Sequence, residues 1–277
     1  MDRRFPLGSS FGVMQGRLSP QSDRGYQVFP WETWQNEFEF AADRGLEHIE
    51  WVLDSWRVDE NPIISATEAV RQRIQDTGVR VVSVCADYLM DSPLDVDDKK
   101  PWVVLELLVE AMQEVGAEWL VLPCVDHASL REPSSLGRLN QAIEPLVEML
   151  ADTSIKVSLE SDLDPIQLGQ LLDKFDSKVF GVNYDIGNSA SLGYVLDEEF
   201  DTYGERVSVV HVKDRRLHGS SVPLGQGTAN IRRAIDHLLN LEFTGPVTMQ
   251  AFRDDEGITV LDRQLRWFQG QLESLAT

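Results

Sequence analysis

The sequence predicts an α/β protein of the (β/α)8, or TIM-barrel, class. Three observations lead there. Short apolar, β-branched runs alternate with longer amphipathic stretches, eight of each occur, and the runs start about 30 to 40 residues apart, the size of one βα unit. Eight is also the strand number that closes a barrel with a packed interior. The length, 277 residues, suits one barrel of about 250. No linker, low-complexity stretch or charge block divides the chain, so residues 1–277 are expected to form a single domain.

Strands are expected at residues 10–14, 48–53, 79–85, 119–123, 155–160, 179–185, 207–212 and 247–251. Helices are expected at 34–44, 62–77, 101–115, 133–152, 165–176, 197–205, 229–240 and 258–275. The first helix carries Phe38, Ala41 and Ala42 on one face and stops at Gly45, a residue suited to the left-handed position after a helix. The second ends before Gly78. The third begins with Pro101, tolerated at the first helical position, and ends before Gly116. An open, doubly wound sheet is the competing architecture. It is weakened because the first strand runs into Gly12-Val13-Met14-Gln15-Gly16-Arg17, which lacks the GxGxxG phosphate fingerprint.

Composition excludes several functions. Apolar residues make up 42% and charged residues 26%, and no run of about 18 apolar residues is present to span a membrane. Arg3 and Arg4 are not followed by an apolar stretch, so a cytoplasmic rather than secreted protein is expected. A net charge of -21 repels a phosphate backbone and argues against nucleic acid as partner. Cys85 and Cys124 lie in strand-like runs and are expected to be buried free thiols.

In such a barrel the chemistry sits at the C-terminal ends of the strands. There strands five to eight present Glu160, Asp185, His211 and Gln250. Adjacent strands lie about 4.8 Å apart, so the four side chains can converge. Taken singly, each carboxylate could be a solvated loop residue and His211 a core histidine. Taken together, two carboxylates, an imidazole and an amide oxygen form a mixed O/N set suited to one divalent Mn, Mg, Co or Zn ion.

The blocks LES (159–161), YDIGNSA (184–190), HVKD (211–214) and PLGQG (223–227) resemble the xylose-isomerase-like sugar-phosphate isomerase/epimerase superfamily, nearest to its L-ribulose/L-xylulose 5-phosphate 3-epimerase branch. The resemblance implies a metal bound by Glu160, Asp185, His211 and Gln250, and a small sugar or sugar phosphate as substrate. It also implies proton abstraction beside a metal-bound carbonyl, through an enediolate. Gln250 stands where the family has its second glutamate, and an amide cannot act as a base. Two-base epimerisation then needs another proton carrier, for which Lys213, Asp214, Asp254 and His127 are candidates. The other routes are one-base isomerisation, or elimination on a keto-sugar or keto-cyclitol by a dehydratase or lyase. Glu160, Gln250 and Lys213 are the catalytic candidates, with Glu160 as general base.

Gln15, Arg17, Glu50, Asp87, His127, Asn188, Asp214, Arg216 and Arg253 are expected to contact substrate, because each follows or ends a strand. Arg215 and Arg216 open the loop after strand seven. Arginines at the mouth could clamp an anion, or could merely be solvated counter-charges. Trp31, Trp34, Trp51 and Trp56 are candidates for a pocket wall or for a rim or subunit contact. Barrels of this kind associate, so a homo-oligomer is a further expectation. A non-catalytic sugar-binding protein is the reading from another class, raised by Gln250. An endonuclease on the same fold fits poorly, since only five histidines are present and Asn188 stands where that branch has one.

Overall fold

The structure, a computed structural model, describes residues 9–275. Eight parallel strands close a barrel: β1 (Phe11–Met14), β2 (His48–Val52), β3 (Arg80–Cys85), β4 (Trp119–Cys124), β5 (Lys156–Ser161), β6 (Phe180–Asp185), β7 (Val207–Val212) and β10 (Val247–Met249). They run around the wall in the order β1-β10-β7-β6-β5-β4-β3-β2, so the first and last strands pair and leave no edge. A two-stranded antiparallel hairpin, β8 (Asp214–Arg215) with β9 (Ser221–Val222), stands on top of β7.

The helices are α1 (Trp34–Asp43), α2 (Pro62–Ser65), α3 (Thr67–Thr77), α4 (Tyr88–Asp91), α5 (Lys99–Val115), α6 (Pro133–Leu150), α7 (Pro165–Leu172), α8 (Ile186–Leu192), α9 (Leu196–Tyr203), α10 (Ile231–Asn240) and α11 (Ile258–Leu275). No helix among the described residues is long and apolar enough to cross a membrane.

All eight expected strands form, and the helices differ in several places, among them the unexpected short α4 and an α7 that stops at Leu172. The expected 62–77 helix is broken at Ala66, whose φ of -147° and ψ of 42° are not helical. The helix expected from Pro101 starts at Lys99, because the Asp98 side chain accepts a hydrogen bond from Lys100 N and caps it. Pro101 therefore stands third in α5, where a helical N–H has no intrahelical partner and a proline costs nothing. Helix α8 was not expected. It follows β6 without a loop, and Asp185 caps it by accepting from Asn188 N at 2.8 Å.

Most of the core lies between sheet and helices, where aromatic residues such as Phe29, Trp34, Phe38 and Trp51 pack together. Inside the barrel a small apolar cluster of Met14, Val52, Cys85, Val121 and Val209 alternates with polar side chains. Strand periodicity puts His48, Glu50 and Val52 on one face of β2, and Val209, His211 and Lys213 on one face along β7. The interior is therefore a partly polar column rather than the usual stack of bulky branched residues. At its base His48 bonds Ser10 Oγ through Nδ1 at 2.7 Å and Thr248 Oγ1 through Nε2 at 3.0 Å.

Two clasps position the loops above this column. The long β1–α1 loop is tied to the segment just after the last strand: Arg17 Nε donates to Ala251 O at 3.2 Å, and Arg253 donates to Tyr26 O at 3.1 Å and Pro20 O at 2.7 Å. Buried Glu37 accepts from Gly16 N at 3.0 Å and from Ser19 Oγ at 2.7 Å on the same loop. The second clasp is Asp214, wholly buried, which accepts from Gly225 N and Gly227 N at 2.9 Å and Ala229 N at 3.1 Å. Gly227 is required here, since a Cβ would sit 2.1 Å from Asp214 Oδ1. Asp214→Ala is expected to lower stability by about 2 kcal/mol, because three part-buried backbone donors lose a buried acceptor. The shift of the urea midpoint measures it, and an unchanged midpoint would mean that the clasp is not structural.

Candidate active site

A cavity of about 720 Å³ opens at the C-terminal ends of the strands. Its walls include Gln27, Asp87, Glu160, Asn188, Lys213, Arg215 and Gln250, with Arg24, Trp56, Asp91 and His127 nearer the rim. A larger cavity, about 920 Å³, lies at the opposite end, among Ser10, Arg80, Glu118, Lys156 and Glu242. The C-terminal mouth is the candidate site, because there the strand ends converge and the carboxylates are buried and perturbed.

Glu160, Asp185, His211 and Gln250 fall into two pairs, each bridged by one nitrogen donor. Asn183 Nδ2 bridges Glu160 Oε2 at 3.1 Å and His211 Nδ1 at 3.0 Å. Lys213 Nζ bridges Asp185 Oδ2 and Gln250 Oε1, each at 3.2 Å. Asn188 Nδ2 donates to Glu160 Oε1 at 2.6 Å, and Arg215 Nη1 donates to Asn188 Oδ1 at 2.8 Å. On the other side, Gln250 Nε2 donates to Gln27 Oε1 at 2.8 Å. That oxygen also accepts from Arg17 Nη2 at 3.2 Å, and Gln27 Nε2 donates to Asp87 Oδ2 at 2.9 Å.

Below the cavity floor, His211 Nε2 approaches Glu50 Oε1 to 2.7 Å, without the alignment of a good hydrogen bond, while Glu50 Oε2 accepts from Ser83 Oγ at 2.7 Å. Burial pulls the His211 imidazole down, but Glu50, Glu160 and Asp185 together hold it above its ordinary value. Burial, reinforced by the charge of Asp185, pushes the Glu160 carboxyl up to about 7. Burial likewise pushes Asp87 up to about 6, against the bonds from Gln27 and Cys85. A carboxyl titrating near neutrality at a cavity wall is poised to take and return a proton.

The xylose isomerase-like TIM barrel family matches residues 38–271. The chain is a member of this family, an enzyme family of sugar isomerases and epimerases. A curated relative from Haemophilus influenzae, "Putative L-ribulose-5-phosphate 3-epimerase SgbU", is 22% identical over 264 residues, covering 87% of this chain and 92% of its own. Among solved structures, the 3-keto-D-glucoside 4-epimerase YcjR of E. coli superimposes with a TM-score of 0.73 at 17% identity, covering 95% of this chain and 99% of its own. A xylose isomerase-like TIM barrel protein of Mycobacterium smegmatis, solved in complex with magnesium, gives 0.71 at 17% identity, with 98% and 99% covered. At these identities the structural likenesses speak for the fold.

In this member of the xylose isomerase-like family, the donor atoms of the expected metal ligands are already engaged. Both oxygens of Glu160 and of Asp185, His211 Nδ1 and Gln250 Oε1 each meet a protein nitrogen within 3.2 Å. The point shared by Asp185 and Gln250 holds an ammonium, and a divalent ion beside it would meet a like charge. Among the described residues, no three His, Cys, Asp or Glu side chains are arranged to hold a metal ion. As arranged, these residues do not fit a divalent ion.

The other expected contacts divide between cavity and scaffold. Asp87, Asn188 and Lys213 line the cavity, and His127 stands exposed at the rim, 2.9 Å from Asp91. Gln15 and Glu50 are buried under the floor, where Gln15 Oε1 accepts from Val52 N at 3.0 Å. Arg17 and Arg253 are buried in the loop clasp and do not line the cavity. Asp214 serves its own clasp, and the acceptor beside His211 is Glu50. Asp254 caps Glu256 N outside the cavity, and Arg216 is exposed on the hairpin, away from the cavity wall. Of the tryptophans, Trp56 lines the rim, 45% exposed, with Arg24 stacked 4.1 Å over its ring.

Two residues of the network escaped the sequence reading. Asn183 lies two positions before Asp185 on β6, so strand alternation puts both on the same face. Gln27 lies in a long loop with no periodicity and carried no such signal. Arg215→Ala is expected to weaken ketose binding about tenfold, by releasing Asn188 from its charged donor, while Arg216→Ala leaves it within about twofold. Calorimetric titration of both variants with the same ketose is the check, and equal losses would refute this assignment.

Proposed function

We propose that this chain moves a proton on the carbon next to a sugar carbonyl, as an isomerase or epimerase acting on a small ketose or its phosphate. The observation that carries the reading is Glu160: buried at the cavity wall, held by amides of Asn183 and Asn188, with its carboxyl pushed up to about 7. As a carboxylate it takes the proton from the carbon beside the carbonyl. As a carboxylic acid it returns it to the neighbouring carbon in isomerisation, whereas in epimerisation a second acid delivers a proton to the opposite face of the original carbon.

The negative charge that develops on the substrate oxygen faces Lys213, with Arg215 acting behind Asn188. Asp87, hydrogen-bonded to Gln27 and pushed up to about 6, stands at the same cavity as a second carboxyl able to hold a proton. It supplies the group that Gln250 cannot be, which keeps epimerisation chemically open. The exposed ring of Trp56 offers an apolar face to the ring or chain of the sugar. The single phosphate of a phosphorylated substrate has Arg24 and Arg215 within the same cavity. No step here passes through a metal, because the expected ligand atoms are already engaged by nitrogens of Asn183, Asn188 and Lys213.

The test is exchange of a substrate C–H proton with deuterated water, followed by NMR across a panel of ketoses and ketose phosphates. Wild-type protein is expected to catalyse exchange with at least one of them. Glu160→Gln is expected to lose it by a factor of at least about 10³ while keeping the fold. Exchange is expected to rise with pH through an inflection near 7, since the base must be ionised. Binding without exchange in every case would favour a sugar-binding protein, and retained exchange in Glu160→Gln would remove it from the base role.

A further inference from the structure

The geometry points to Lys213 as a built-in cation that stands where a bound divalent ion would, fixed there by the amide of Gln250, whose place a carboxylate could not take. The inference rests on the proposed site but not on its reaction. It begins with Arg17. A guanidinium has no acceptor, so the Gln27 atom that meets Arg17 Nη2 at 3.2 Å must be the carbonyl oxygen. This orients the Gln27 amide, with Nε2 turned to Asp87 Oδ2 at 2.9 Å. The group of residue 250 that meets Gln27 Oε1 at 2.8 Å must then be a donor, and Gln250 Nε2 is one. A carboxylate there would oppose an oxygen. With its nitrogen so placed, the Gln250 oxygen is turned to Lys213 Nζ.

Lys213 is held from a second side by Asp185 Oδ2, itself steered because Asp185 Oδ1 accepts from the N-terminus of α8. The side chain reaches this position past Gly187, where a Cβ would lie 2.8 Å from Lys213 Cγ. An ammonium has three N–H groups. Two are engaged by Asp185 and Gln250, and Lys213 lines the cavity, which leaves the third for a substrate oxygen. Replacing a glutamate by Gln250 removes one negative charge from the set, and the lysine adds a positive one. Both changes oppose a divalent cation and suit a fixed monovalent one.

Titration of chelator-treated wild-type protein with Mn²⁺, followed by calorimetry and by the electron paramagnetic resonance of free Mn²⁺, decides the matter. Wild-type protein is expected to show no stoichiometric site tighter than about 1 mM. Lys213→Met combined with Gln250→Glu is expected to bind one Mn²⁺ at least a hundredfold more tightly, with melting curves showing that the variant is folded. One equivalent of Mn²⁺ bound at micromolar concentration by the wild type would overturn the inference, whether or not any ketose is turned over. Proton exchange that appears only on adding metal would overturn it as well. Should no ketose exchange with any addition, the reaction reading falls, while the wild-type titration still decides the role of Lys213.

Discussion

Charge cannot be left unmatched inside a barrel, and this barrel is organised around matching it. Glu160 and Asp185 are each about 5% exposed or less, yet every oxygen of the pair finds a nitrogen: Asn183 and Asn188 on the first, the α8 backbone and Lys213 on the second. Removing water from a carboxylate costs several kcal/mol unless such partners are supplied. The partners come from β6, α8 and β7, so the placement of the carboxylates and the packing of these elements are one problem. The polar column beneath, from Glu50 and His211 down to His48 and Thr248, extends the same solution through the interior.

The matching is incomplete for Glu160, and that incompleteness is useful. Its carboxyl is raised from 4.5 to about 7, so between those values the folded chain binds more protons than the unfolded one. The stability contributed by the protonated form is present below pH 4.5 and is lost as pH rises through 7. Above neutrality the fold tolerates a carboxylate that it would hold more comfortably as an acid. Such a group takes up a proton readily, as a base beside a weakly acidic C–H needs to. Glu37 is raised by burial to a similar degree, but it is enclosed by Gly16 N and Ser19 Oγ away from the cavity, where it ties a loop down.

The barrel was legible in the sequence because strand spacing and β-branched runs are local signals that survive in tertiary structure. The neighbourhood of Glu160, Asp185, His211 and Gln250 follows from strand ends in this architecture lying together, although only Glu160 and Gln250 of the four line the cavity. What those side chains do on arrival was less accessible. Arg17, Arg253 and Asp214 follow strands as substrate-binding residues do, yet their partners are backbone groups on distant loops. Sequence position assigns a residue to the mouth, but the choice between substrate and scaffold depends on which acceptors the folded loops bring near. Helix α8 was missed because its residues, Ile-Gly-Asn-Ser-Ala-Ser-Leu, lack an amphipathic rhythm. It persists through its cap and its packing.

The tie between Arg17 and Ala251 spans 234 residues, and Gln27 reaches Gln250 across a comparable stretch. A chain emerging from the ribosome therefore has its first loop long before the strand that will hold it. Until β10 slides between β7 and β1, Gln27 has no amide to orient, and Lys213 has only one of its two anchors. The site is complete only in the closed cylinder, so a chain lacking its last strand lacks both Gln250 and the arrangement that Gln250 fixes.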